Sequence, residues 1–221
     1  AITVVECIGA RGTPPPPMVI YRGKTHQQSW YHDHTAAKGW VFATSPNGWT
    51  DNDLALEWLR DCFDKHTKQK AQGRYCLLIL DSHGSHVTSD FIQQAWDSRI
   101  VCLCLPLHTT HLLQPLDVSI FGPLQHAFMV EVDKYAGANL TISKSEFLGM
   151  YIKARHVITS RAAAKAFKDI GIDSEICRKT VLHCMPTFQR DSTPPPTQPL
   201  PKDTPTPSTP AEAKQIMMQF F

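Results

Sequence analysis

"YCLLILDSHGSH", residues 75–86, decides how this chain is read. Its first six residues are continuously apolar and too few for a helix, as in a strand covered on both faces. The run stops on Asp81, with His83, Ser85 and His86 directly behind it. A second apolar run, "IVCLCLP" (100–106), follows "TSDFIQQAWDS", whose apolar residues at 91, 92, 95 and 96 mark a helix capped by Thr88 or Ser89. Strand, helix and strand at this spacing predict a βαβ unit with parallel strands and a right-handed crossover.

In open α/β sheets, sites gather at the carboxyl ends of the strands. The second strand ends in "PLHTTHLLQPLD", so His108, His111 and Asp117 should emerge beside Asp81. Parallel neighbours lie about 4.8 Å apart, which lets the two loops leave the sheet side by side. Two carboxylates at one rim repel each other, and a divalent cation removes that conflict. Mg²⁺ prefers such oxygen ligands and keeps several waters. The competing reading is local: Asp after a strand caps turns, and Asp117 before an amphipathic segment suits a helix N-terminus.

The other segments read less sharply. "ITVVECI" (2–8) and "MVIYR" (18–22), separated by Gly and Pro, predict an antiparallel strand pair. Thr50 with Asp53 approximates a capping box before a helix whose stripe is Leu54, Trp58 and Cys62, flanked by Leu59 and Phe63. Phe121, Leu124, Phe128, Val132 and Tyr135 form the face of another helix. Pro123 forces that helix either to kink or to begin there, with Asp117 on a separate turn. Ser143 with Glu146 makes a capping box, and Ser160 precedes a last helix stopped by Gly171. The stretch 26–49, rich in His and Trp, predicts no definite element. Between Pro186 and Pro210 nine prolines fall among Thr, Ser and Gln, the composition of an extended tail.

Bulk properties exclude some classes. The 221 residues, 42% hydrophobic, suffice for one domain with a real core, and a net charge of +2 does not by itself indicate a nucleic-acid surface. Seven cysteines form no C-x-x-C pair, which argues against a zinc ribbon or redox motif and for a reducing compartment, cytosol or nucleus. No apolar run approaches the ~20 residues of a membrane span. The chain opens without Met, inside a strand-like pattern, which suggests a fragment.

The stretches "NGWTDNDLALEWL" (47–59), "LLILDSHGSH" (77–86), "LCLPLHTTHLLQPLDVSIFGPLQHAF" (103–128) and "AFKDIGI" (166–172) together resemble the DDE superfamily endonuclease domain of pogo/Tigger-like transposases. The resemblance covers about residues 1–172 and leaves 173–221 as a C-terminal segment that is largely tail. It implies an RNase H-like α/β fold, a mixed sheet with flanking helices. It also implies nuclear localisation and DNA, the transposon ends, as partner, with a homodimer left open. In the family three acidic residues hold two Mg²⁺ or Mn²⁺ ions for phosphodiester cleavage and strand transfer. Asp81 matches the second and Asp117 the third. His83, Ser85, His86, His111 and Gln114 match positions near the site, where they would position substrate or ligands.

There are departures as well. The first acidic residue of the family lies on a strand before the "VTVIECI"-like segment, and this chain begins inside the following strand. That strand would be the central one, between "ITVVECI" and "YCLLIL", so the 221 residues alone are expected to be inactive and poorly stable. "GIDSE" stands where the family has Gly-Ile-x-Pro-Phe, and the helix-turn-helix region is absent. Two other functions compete: a domesticated, non-catalytic nuclear DNA-binding or interaction protein, and a zinc hydrolase built on His32, Asp33, His34, Asp81, His108 and His111.

Overall fold

A computed structural model describes residues 1–31, 35–81, 88–136 and 143–172, all within one compact unit spanning Ala1–Cys184. Its strands are β1 (Ile2–Val5), β2 (Met18–Arg22), β3 (Val41–Ser45), β4 (Cys76–Leu80) and β5 (Ile100–Cys104). Its helices are α1 (Asn52–Glu57), α2 (Lys65–Ala71), α3 (Ser89–Asp97), α4 (Thr110–Leu113), α5 (Phe121–Ala136), α6 (Lys144–Arg155) and α7 (Ser160–Asp169).

The described strands form two sheets, β1-β2-β3 and β4-β5, not one. β1 and β2 pair antiparallel as the sequence predicts, and β3, from the stretch that predicted nothing, adds parallel to β2. β2 is therefore the middle strand, and Met18, Val19, Ile20 and Tyr21 are wholly buried. β4 and β5 pair in parallel, with Leu77 opposite Val101 and Ile79 opposite Leu103. Between them runs α3, started by Thr88, whose hydroxyl accepts from the Phe91 N–H. The parallel strand–helix–strand order thus stands as the sequence predicts.

Its burial does not. Leu78, Leu80 and Ile100 pack under Leu59, Trp58, Phe91 and Ala95. On the opposite face Leu77 is 54% exposed, Val101 46% and Leu103 47%. Continuous apolarity therefore overstated the cover: α3 and the helix from α1 to α2 lie on one face only. Each fully buried Leu or Phe on that face stabilises by about 1.5–3 kcal/mol.

Helix starts were displaced by single residues. Asp51 caps α1, its carboxylate accepting from Leu54 N–H at 2.9 Å, in place of the Thr50 and Asp53 box. A π-helical stretch, Trp58–Asp64, joins α1 to α2 and buries Trp58, Leu59, Cys62 and Phe63. Thr159, not Ser160, caps α7. The Ser143–Glu146 box on α6 is present in both its bonds, and Gly171, at φ +80°, ends the last helix. Gly171 adopts the left-handed conformation that glycine takes without a Cβ clash.

A second core, Ile8, Ile120, Leu124, Tyr151, Ala154, Ile158, Ala163 and Ala166, packs α5, α6 and α7 together. The thiols of buried Cys7 and Cys62 and half-buried Cys102 act as small hydrophobes: burial pushes them up to about 12, 12 and 11.

Candidate active site

Asp81 follows directly on β4 because the strand's apolar run ends there. Asp117 is presented differently. Pro115 opens a π-helical turn, Leu116–Ile120, that runs straight into α5. α5 begins two residues before Pro123, and Asp117 lies in the first turn of the π-helical stretch ahead of it. Single π turns of this kind are frequent at functional sites.

The two carboxyl groups reach the same cleft. It has a volume of about 950 Å³, and Asp81, Gln114, Pro115, Leu116 and Asp117 line one part of it. Partial burial raises the Asp117 carboxyl above the ordinary aspartate range, and the charge of Asp81 raises it further. Like charges brought close at a partly desolvated rim act in this way. The Asp81 charge also raises the Cys104 thiol, after burial, so β5's end faces the same corner.

The cleft lies between two strand edges. β1 pairs only with β2 and β4 only with β5, so among the described residues nothing pairs with their other edges. Val4, Val5, Glu6, Cys7 and Ile8 line one wall; Cys76 through Leu80 line the other. Cys7 feels the charge of Cys76 and Lys70, and Lys70 Nζ donates to the Thr13 carbonyl past the end of β1. The start of β1 instead meets the turn at Gly48, whose carbonyl accepts from Thr3 Oγ1 at 2.7 Å.

Glu6, a third carboxylate in the cleft, had no signal in the sequence beyond an acid inside an apolar run. It is buried and already committed. Tyr151 Oη and Arg155 Nε each donate to it at 2.8 Å, and Arg155 Nη2 at 3.0 Å. Arg155 also donates to the Pro15 carbonyl and stacks over Trp40. Glu6 ties β1 to α6.

Of the residues predicted near the site, Gln114 lines the cleft, with its backbone carbonyl accepting from Val118 N–H. His111 sits exposed in α4, away from the lining. His108, exposed at φ +61°, terminates no metal cluster: among the described residues no three His, Cys, Asp or Glu side chains converge. His83, Ser85, His86 and the His32, Asp33, His34 group lie outside the described residues.

Residues 1–167 match the family described as DDE superfamily endonuclease. This chain belongs to that family. Its relatives place it in the pogo/Tigger branch: it is 28% identical over 118 residues to the human pogo transposable element with ZNF domain, covering 53% of this chain and 8% of that protein. It is 25% identical over 185 residues to the human pogo transposable element with KRAB domain, 79% of this chain and 29% of that one. A protein of Cochliobolus lunatus named MFS-type transporter clz9 is 35% identical over 173 residues, 77% of this chain and 19% of its own length. This DDE domain thus spans less than a third of each of these relatives. None of its described helices is long and apolar enough to cross a membrane. No solved structure matches it.

A divalent ion, which such endonucleases use, fits what is present here: two oxygen-donor side chains lining one cleft, one of them raised by burial and by the other's charge.

Proposed function

We propose that this domain handles DNA by divalent-metal-dependent phosphodiester cleavage and strand transfer, with Asp81 and Asp117 as the metal-holding carboxylates. The observation that carries this is that Asp81 and Asp117 line one cleft, where partial burial and then the Asp81 charge raise the Asp117 carboxyl, in a chain of the DDE family. When bound between them, Mg²⁺ or Mn²⁺ supplies charge to activate an attacking oxygen and to stabilise the leaving one. The protein's part is positional. β4 fixes Asp81, the π turn fixes Asp117, and Gln114 braces that turn through its backbone.

Glu6 is occupied by Arg155 and Tyr151, so it does not serve as a further ligand. We infer instead that the third carboxylate arrives on an extended segment running between β1 and β4. Two unpaired edges on one cleft support this, since a single strand there would satisfy both and join the sheets into an RNase H-like one. On this reading residues 1–172 are one domain, the 221 residues by themselves do not cleave DNA, and the parent acts in the nucleus.

The test is Mn²⁺-dependent cleavage by the full parent polypeptide, with Asp81→Ala and Asp117→Ala alongside. Loss of cleavage in both variants supports the assignment. Cleavage at the parental rate in either one removes that residue from the site.

A further inference from the structure

Trp49 is 62% exposed, whereas Trp30 and Trp58 are each 5% exposed. A large indole left in water usually swings freely; this one is mounted on a fixed turn. Ser45, itself 3% exposed, donates its hydroxyl to the Trp49 carbonyl at 2.8 Å. The Trp49 N–H donates to Asn47 Oδ1 at 2.9 Å, and Gly48 N–H donates to the Ser45 carbonyl at 3.2 Å. Gly48 sits at φ +82°, where an added Cβ would lie 3.0 Å from both the Ala1 carbonyl oxygen and Arg22 Cβ. The turn is thus wedged against the start of β1 and the end of β2.

That position matters because of the cleft it borders. Trp49 and Thr50 line the cleft that Asp81 and Asp117 also line. Beside the turn stands exposed Arg22, and half-buried Lys144 reaches it, its Nζ donating to the Arg22 carbonyl. Lys144 also lies over the Trp30 ring. The nearby acids are Asp51, which caps α1, exposed Asp53, and Glu146, which is held by Ser143.

We propose that Trp49 is a stacking platform for an unpaired DNA base, with Arg22 and Lys144 taking the adjoining phosphates. An indole face accepts any base, and cations beside it follow the backbone. A strand seated there enters the cleft that the two carboxylates line. This rests on the phosphodiester reading above and supplies its substrate contact: single-stranded DNA in the reacting cleft.

The test is fluorescence anisotropy of a dye-labelled single-stranded oligonucleotide with the 221-residue chain in EDTA, so that no cleavage chemistry enters. Trp49→Leu is expected to weaken binding about tenfold, within the range for losing one stacked base, and Trp49→Phe to retain most of it. Arg22→Gln with Lys144→Gln should flatten the slope of log affinity against log salt by about 1.4, two phosphates at about 0.7 each. Parental affinity in Trp49→Leu, equal loss in Trp49→Phe, or a parent chain that binds no oligonucleotide would each overturn the proposal. None of these outcomes touches the carboxylate assignment, which Mg²⁺ titration of Asp117 tests separately.

Discussion

Asp117, on the π turn that leads into α5, has its carboxyl raised by partial burial and then by the charge of Asp81, just past the end of β4. Two residues far apart in the chain thus share one electrostatic environment. A carboxyl whose folded-state pKa is raised binds its proton more tightly folded than unfolded. Its ionised form therefore opposes folding, and the penalty appears as pH rises from the ordinary aspartate value through the raised one. Asp117→Asn should accordingly melt higher than the parent at neutral pH, with the difference vanishing below about pH 3, under both carboxyl pKa values. Melting curves across pH check this; a lower melting temperature at neutral pH would contradict it.

Glu6 and Arg155 form a buried ion pair, their side chains 1% and 16% exposed. Removing one partner leaves a buried charge without its counterion. Glu6→Gln and Arg155→Leu should each destabilise by about 3–5 kcal/mol in urea unfolding. Combining Glu6→Gln with Arg155→Leu should cost less than the sum of the two. A loss under 1 kcal/mol for either single variant would show the pair to be dispensable.

The two strand edges make a prediction at single-amide resolution. In the parallel β4-β5 ladder Cys76 donates to the Arg99 carbonyl and Leu105 to that of Leu80, so Leu78 also faces β5. Leu77 and Ile79 then direct their N–H groups at the cleft. Hydrogen exchange in the isolated chain should be slow at Leu78 and much faster at Leu77 and Ile79. Protection at all three would mean that the cleft edge is already paired.

Tyr21 buries a hydroxyl that finds no hydrogen-bond partner among the described residues. Tyr21→Phe removes that unmet donor and keeps the stack on Trp30, 4.9 Å between ring centroids. Stability should rise by about 1 kcal/mol, measured by denaturant midpoint. A comparable fall would reveal a partner for the hydroxyl.

Where local patterns decide the outcome, the sequence was sufficient. The βαβ unit followed from two apolar runs around an amphipathic stretch, and the buried stripe from α1 into the π-helical stretch from Leu54, Trp58 and Cys62. The Ser143–Glu146 box followed from spacing alone. Competing caps one residue apart were not separable: Asp51 over Thr50 and Thr159 over Ser160 depend on backbone geometry. One-sided burial of β4 and β5 was invisible because apolar content does not say what covers it. β3 was missed because "VFATS" is short and follows a stretch of mixed polarity. Asp81 and Asp117 were legible as strand-end and turn acids. Glu6 was not, since its meaning lies in Arg155 and Tyr151, distant in sequence.

The most direct test of the shared carboxylate site is a carbon-detected NMR titration of the Asp117 carboxyl, in the parent and in Asp81→Asn, with and without Mg²⁺. The parent should show Asp117 above the ordinary aspartate range, Asp81→Asn should bring it down, and Mg²⁺ should lower it in the parent more than in the variant. An Asp117 titration that is the same in both proteins and indifferent to Mg²⁺ would contradict the account.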